Sequence, residues 1–183
     1  QVALILDNQV QEEKGIYEDG QVYLPVNWVN EHLNERFYWD EGEKLLVYAL
    51  PESIVYADES TQGEKGPLFK VTQEGMYLSL GVVVNYTDIR TQAFATSQIK
   101  RVFIDTSWQP YDTAVLKKTG QIRVKGGVKS QIITEAAAGE TVDVLETMDK
   151  WSRVRTADGY IGYVENRKLE AGEQVAPVST FEA

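Results

Sequence analysis

The chain contains no cysteine, and this single absence removes disulfides, thiolate metal sites and cysteine nucleophiles together. Histidine is nearly absent too: His32 is alone among 183 residues. A copper or zinc centre needs several imidazole or sulfur ligands, so no metal site and no cofactor is expected. Serine hydrolysis fares no better. Ser107 follows Asp105 and Thr106, but there is no Gly-x-Ser-x-Gly elbow and the one imidazole is distant in sequence. Gly126-Gly127 is not followed by Lys-Ser or Lys-Thr, which excludes a phosphate loop on pattern. No apolar run approaches the roughly 20 residues that cross a bilayer, so no membrane contact is expected of this segment. The opening Gln1-Val-Ala-Leu-Ile-Leu6 is too short for a secretory leader and lacks its basic start. A chain that opens on Gln1 rather than Met is read as a fragment or processed form, so the missing leader does not argue for the cytoplasm.

What is present supports a folded protein. Hydrophobic residues make up 43% of the chain, enough for a core and too many for wholesale disorder. The length suits one ordinary domain or two small ones. Charge is unevenly spread over a net of −10. Residues 1–110 hold 8 basic and 17 acidic side chains, whereas residues 111–170 hold 10 and 9. The acidic first half argues against nucleic acid, whose binding rests on neutralising phosphates with cations. The nearly neutral second half is better suited to an anionic polymer.

The first 108 residues are read as one unit written twice, at about 1–57 and 67–108. Copy one runs through Tyr23-Leu24-Pro25, a helix around Trp28, Val29 and Leu33 capped by Asn27, and a hairpin from Phe37 to Tyr48. Copy two runs through Tyr77-Leu78, a helix from Gly81, and a hairpin from Ala93 to Ile104. The spacing Tyr23 to Lys44 is 21 residues and Tyr77 to Lys100 is 23, a loose match. The fold class expected here is α+β, with duplicated strand–helix–hairpin units. Within copy one, Asp40-Glu-Gly42-Glu reads as a hairpin tip in which the glycine takes the awkward dihedral.

Beyond Trp108-Gln-Pro110 the pattern changes to short β-rich runs: 114–116, 121–124, 131–134, 141–145, 151–155 and 160–164. Such spacing predicts an all-β small barrel over residues 111–170. Residues 171–183 read as a linker to a downstream domain. Within the barrel, Asp158-Gly159 predicts a two-residue hairpin loop with positive φ at both positions. That register opposes Arg155 to Gly162, Val154 to Tyr163 and Arg153 to Val164. One face then holds Val154, Thr156, Ile161 and Tyr163 as core. The other gathers Trp151, Arg153, Arg155 and Tyr160 around the open spot left by Gly162, a surface suited to stacking and bidentate contacts. Aromatics of this size are more often core than ligand contacts, which weighs Trp151 and Tyr163 toward the barrel interior; the candidate ligand residues are Tyr160, Arg153 and Arg155, with Trp151 beside them on the same parity.

Ile122-Arg-Val124, Gly139-Glu-Thr-Val142-Asp-Val144, Trp151-Ser-Arg-Val154, Asp158-Gly159, Gly162-Tyr163-Val164 and Leu169 closely resemble the bacterial SH3-type (SH3b) domain over about sixty residues. The resemblance implies a small barrel that serves as a targeting or binding module on cell-wall hydrolases and envelope proteins. The first half, with Tyr23-Leu24-Pro25 before a helix and Trp39-Asp40 before Lys44-Leu-Leu-Val, is similar to the copper amine oxidase N-terminal-like module, which binds no copper in most bacterial contexts. That order of modules resembles the front of clostridia-type envelope proteins in which a family-18 glycoside hydrolase domain follows. The resemblance therefore implies an extracellular, envelope-associated protein of a Gram-positive bacterium, with peptidoglycan or a related glycan as partner and a catalytic domain downstream in the same chain.

No catalytic residue is assigned. Adjacent carboxylates such as Glu12/Glu13 and Asp40/Glu41 point to opposite sides of a strand and cannot form a glycosidase dyad by themselves. His32, beside Glu31 and Glu35, reads as a helix surface residue. Three functions compete: a non-catalytic wall-targeting module, a protein–protein or self-assembly scaffold using sheet edges, and a hydrolase whose carboxylates meet only on folding.

Overall fold

The computed structural model describes residues 1–63 and 66–182, which form two compact units: Gln1–Ser107 with residues 180–182, and Trp108–Ser179. The first unit runs β1 (Val2–Leu6), β2 (Gln9–Glu18), β3 (Gln21–Pro25), α1 (Val26–His32), β4 (Phe37–Asp40), β5 (Leu45–Ala49) and β6 (Ile54–Ala57). It continues through β7 (Gln62–Gly63), β8 (Gly66–Pro67), β9 (Phe69–Thr72), β10 (Gly75–Ser79), α2 (Leu80–Tyr86), β11 (Arg90–Phe94) and β12 (Arg101–Asp105). The second unit holds β13 (Asp112–Leu116), β14 (Gly120–Arg123), β15 (Ile132–Ala136), β16 (Thr141–Thr147), β17 (Trp151–Arg155) and β18 (Ile161–Glu165). A 3₁₀ turn (Asn166–Lys168) and β19 (Leu169–Ala171) complete it.

In the first unit a seven-stranded sheet is ordered β11-β12-β1-β2-β3-β10-β9. β1 and β12 lie in its interior and pair in parallel, Leu4 against Val102, which explains why both read as unbroken apolar runs. The buried cluster is built from β1, β3, β10 and β12 under Val26, Trp28 and Val29 of α1 and Val83 of α2. Both helices span only seven residues and start directly where their strands stop. Pro25 supplies that junction for α1, with φ −57° and ψ 128° and no side-chain cap. Asn27 therefore lies inside the helix and not at its N-cap.

The expected α+β class with duplicated strand–helix–hairpin units is overturned. Strand accounts for 51% of the residues and helix for 9%. The two hairpins also have different fates: β4 and β5 join β6 in a separate three-stranded sheet, while β11 and β12 complete the large sheet against β1. Similar local strings were read as one unit, but each strand's partners are set by contacts far away in sequence. At the β4–β5 turn the residue in the left-handed region is Lys44, at φ 57°, and not Gly42.

The second unit is a seven-stranded antiparallel sheet ordered β15-β14-β18-β17-β16-β13-β19. Ala136 from one edge and Leu169 from the other pack in the same cluster with Leu116, Ile122, Val142, Val154 and Val164, so the sheet curls around one core. Past β19 the chain stays on this unit, with Thr113 Oγ1 donating to the Glu173 carbonyl and Val175 bridging Tyr111.

Candidate ligand-binding groove

The β17–β18 hairpin decides what the second unit presents to solvent. Thr156 N–H donates to the Tyr160 carbonyl and Gly159 N–H to that of Thr156, so three residues, Ala157 to Gly159, make the loop. Only Gly159 takes positive φ, at 78°. This is the three-residue hairpin with glycine in the left-handed position, and not the predicted two-residue loop. Gly159→Ala should cost about 1–2 kcal/mol by forcing a Cβ into that region, read as a lowered denaturation midpoint.

The longer loop shifts the register by one. Arg153 opposes Tyr163, Val154 opposes Gly162 and Arg155 opposes Ile161. A one-residue slip exchanges the faces of the second strand. The buried face holds Ser152, Val154, Thr156, Gly162 and Val164, and the outer face holds Trp151, Arg153, Arg155, Ile161 and Tyr163. The predicted core placement of Ile161, Tyr163 and Trp151 is corrected: all three are half-buried on the outer face. Gly162 leaves no open spot outside. Its missing side chain faces β14, where a Cβ would sit 2.7 Å from the Arg123 carbonyl oxygen.

Of the four residues expected to bind ligand, Trp151, Arg153 and Arg155 do share the outer face. Tyr160 closes the hairpin loop, its N–H donating to Thr156 Oγ1. Trp151 and Tyr163 instead line an open groove of about 710 Å³ with Val124, Lys125, Gly126, Met148, Asp149 and Lys150. Two loops form its walls. In the β14–β15 loop, the backbone of Gly126 lies against the Trp151 indole, a Cβ there falling 3.1 Å from Cγ. In the β16–β17 turn, Lys150 and Asp149 stand exposed. Arg123 opposes Tyr163 on the side away from Arg153, outside the groove lining.

Both walls are held by polar clamps. Asn166 Nδ2 donates to the Met148 carbonyl at 2.8 Å, and its Oδ1 accepts from Ser152 Oγ at 2.6 Å. Its own N–H reaches the Lys150 carbonyl. On the opposite wall Arg123 Nη1 donates to the Ser130 carbonyl at 2.7 Å, while Ser130 Oγ accepts from the Lys125 N–H. Neither clamp announced itself in the sequence, since Asn166 and Ser130 carry no local signature for the loops they hold. Asn166→Ala should cost about 1–3 kcal/mol, because it leaves the Met148 carbonyl and Ser152 hydroxyl without this partner. Thermal unfolding measures that loss, and slower decay of groove-ligand binding in the wild type measures the ordering.

Next to the groove, Arg167 Nε donates to Glu165 Oε2 at 2.6 Å and holds that carboxyl below its ordinary value. Lys168 is buried, its Nζ donating to Gln121 Oε1 at 2.7 Å with Glu165 3.7 Å away. Elsewhere, Glu41 accepts from Trp39 Nε1 and from Lys44 at the β4–β5 turn, and the Lys44 and Trp39 bonds lower its pKa. His32 is an exposed helix residue whose ring lies 5.4 Å from that of Trp28. Among the described residues no group of three or more His, Asp or Glu side chains is placed to hold a metal ion, and no helix is long and apolar enough to cross a membrane. The arrangement can bind; its groove offers stacking faces, cations and one carboxylate.

No curated protein and no solved structure matches the chain. One family model, described as the bacterial dipeptidyl-peptidase Sh3 domain, matches residues 122–169 and no part of the first unit. Its span runs from β14 to the start of β19 and contains both walls of the groove, so this part of the second unit is similar to a bacterial SH3 domain, a type of binding module.

Proposed function

We propose that the second unit is a cell-wall targeting module which engages peptidoglycan through the Trp151–Tyr163 groove and so positions a catalytic domain carried on the same polypeptide. One observation carries this reading: two half-buried aromatic rings line an open groove with Lys125, Lys150 and Asp149, in a region similar to a bacterial SH3 domain. Flat rings offer stacking area at low entropic cost, and cations near them suit the carboxylates of an anionic wall polymer. With that partner goes an extracellular, envelope-associated location, which our reading assigns to a Gram-positive bacterium, and a glycan hydrolase is the activity such a module would serve.

Co-sedimentation with purified peptidoglycan sacculi tests the reading. The chain should pellet with sacculi, and pelleting should weaken as salt rises, because rim cations contribute through screened interactions. Protein that stays wholly in the supernatant at low salt would count decisively against it. Tyr160→Ala separates the groove from the hairpin tip: pelleting should stay within about twofold of wild type, as expected of a substitution away from the contact surface.

A further inference from the structure

β6 is the unpaired edge of the three-stranded sheet β4-β5-β6, and among the described residues no strand covers its outer side. Its backbone direction can be worked out from its neighbour. Ala49 N–H donates to the Arg36 carbonyl on the β4 side. Leu46 and Tyr48 therefore turn their main-chain groups to β6, where they meet Ala57 and Val55. The N–H and C=O groups of Ile54 and Tyr56 are left pointing away from the sheet. Natural edges are commonly blunted by lysine, proline or a bulge. β6 has none of these: its four pairs with β5 run in unbroken register, and Pro51 lies outside the strand.

The side chains are as open as the backbone. Ile54 is 49% exposed, Val55 48% and Tyr56 58%. Tyr56 lies in one cross-strand row with Val47 and the exposed Tyr38, so a further strand beside β6 would extend an apolar row already three strands wide. The charges within this segment are of one sign. Glu52 precedes the strand, Asp58 and Glu59 follow it, and residues 51–59 contain no Lys or Arg. Antiparallel pairing of two β6 edges would bring Glu52 of one copy against Asp58 and Glu59 of the other, a like-charge contact that opposes self-association.

We infer that β6 is a docking edge for an extended polypeptide segment that alternates apolar and polar residues and carries cations at both ends. Main-chain bonds to Ile54 and Tyr56 supply the pairing, the exposed side chains of Ile54 and Tyr56 meet the apolar side chains of the added strand, and the acidic ends select the charge. The acidic ends thus do two things: they keep the edges of two copies apart and they admit a basic strand.

The test is fluorescence anisotropy of the full chain with two labelled peptides. Both alternate threonine and valine; one is flanked by lysine pairs and the other by glutamate pairs. The lysine-flanked peptide should bind at least tenfold more tightly, and its binding should weaken with salt. Tyr56→Pro removes an outward N–H without touching the β5 ladder, so it should reduce binding at least tenfold with an unchanged melting temperature. This variant also separates edge pairing from general attraction to an acidic protein, which it would not alter. Glu52→Lys combined with Glu59→Lys should reverse the peptide preference. Equal binding of the two peptides, binding of neither, or a Tyr56→Pro variant that binds as wild type overturns the inference. So does a dimer in analytical ultracentrifugation that Tyr56→Pro abolishes, which would assign the edge to a second copy.

Discussion

Gly162→Val is expected to unfold the second unit, with a loss of more than about 3 kcal/mol. A Cβ at this position would meet the Arg123 carbonyl oxygen and Ile122 Cγ2, both at 2.7 Å, and Ile133 Cδ1 at 3.1 Å. The first of these atoms is main chain of β14, the neighbouring strand, and it cannot withdraw without opening the β14–β18 pairing. Valine adds two methyl groups to the same closed space. Circular dichroism melting of the second unit should show the loss directly, with Gly162→Ala falling between valine and wild type. The result also decides the register. In the two-residue loop predicted from Asp158-Gly159, residue 162 faces solvent and valine would be tolerated or welcome in a strand. A melting temperature within a degree or two of wild type would therefore refute the observed pairing of Val154 with Gly162.

Trp151→Ala is expected to lower affinity for sacculi at least thirtyfold, in line with the roughly 2 kcal/mol or more lost when an aromatic anchor at the centre of a contact is truncated. The indole supplies one wall of the groove, and Gly126 packs against it, so the substitution removes a stacking face and a support for the β14–β15 loop together. Its effect on stability should be smaller than its effect on binding, because Trp151 is half-buried and lies outside the cluster formed by Leu116, Ile122, Val142, Val154 and Val164. Tyr163→Ala should repeat the pattern from the same face. If Trp151→Ala and Tyr163→Ala pellet as wild type while Arg153→Ala or Arg155→Ala does not, the binding surface lies further along the strand and the groove reading fails.

The similarity of residues 122–169 to a bacterial SH3 domain was legible as a resemblance carried by Ile122, Val142, Val154, Gly162 and Val164, inward positions of small strands that alternate with turns. The groove itself was only half legible. Arg153 and Arg155 were placed on the outer face by counting in twos along β17, whose alternation is internal to the strand; Trp151 shares their parity, but its size argued for the core. Tyr163 was misplaced because its face depends on where β18 sits against β17. Asp-Gly is the same dipeptide in a two-residue loop and at the end of a three-residue one, and local residues do not distinguish the two. Lys125 and Asn166 were passed over because nothing near them in sequence refers to Trp151, and Lys150, although next to it, because a turn lysine reads as solvated surface.

The first half shows the same boundary more severely. Two strings of strand followed by helix looked like copies of one unit, yet β4 and β5 leave for a small sheet and β12 inserts beside β1. By itself, the sequence established what the chain lacks: with no cysteine and one histidine it can build no disulfide, no thiolate site and no multi-histidine site. It also established β-rich alternation in the second half and a turn around Asp158-Gly159, though not that turn's length, since these are properties of neighbouring residues. Only the tertiary structure decided which strands pair, the one-residue offset that turns Tyr163 outward and Gly162 inward, and the clamps that hold the groove. Those depend on backbone hydrogen bonds and steric fit between segments remote in the chain, and no local pattern of side chains carries that information.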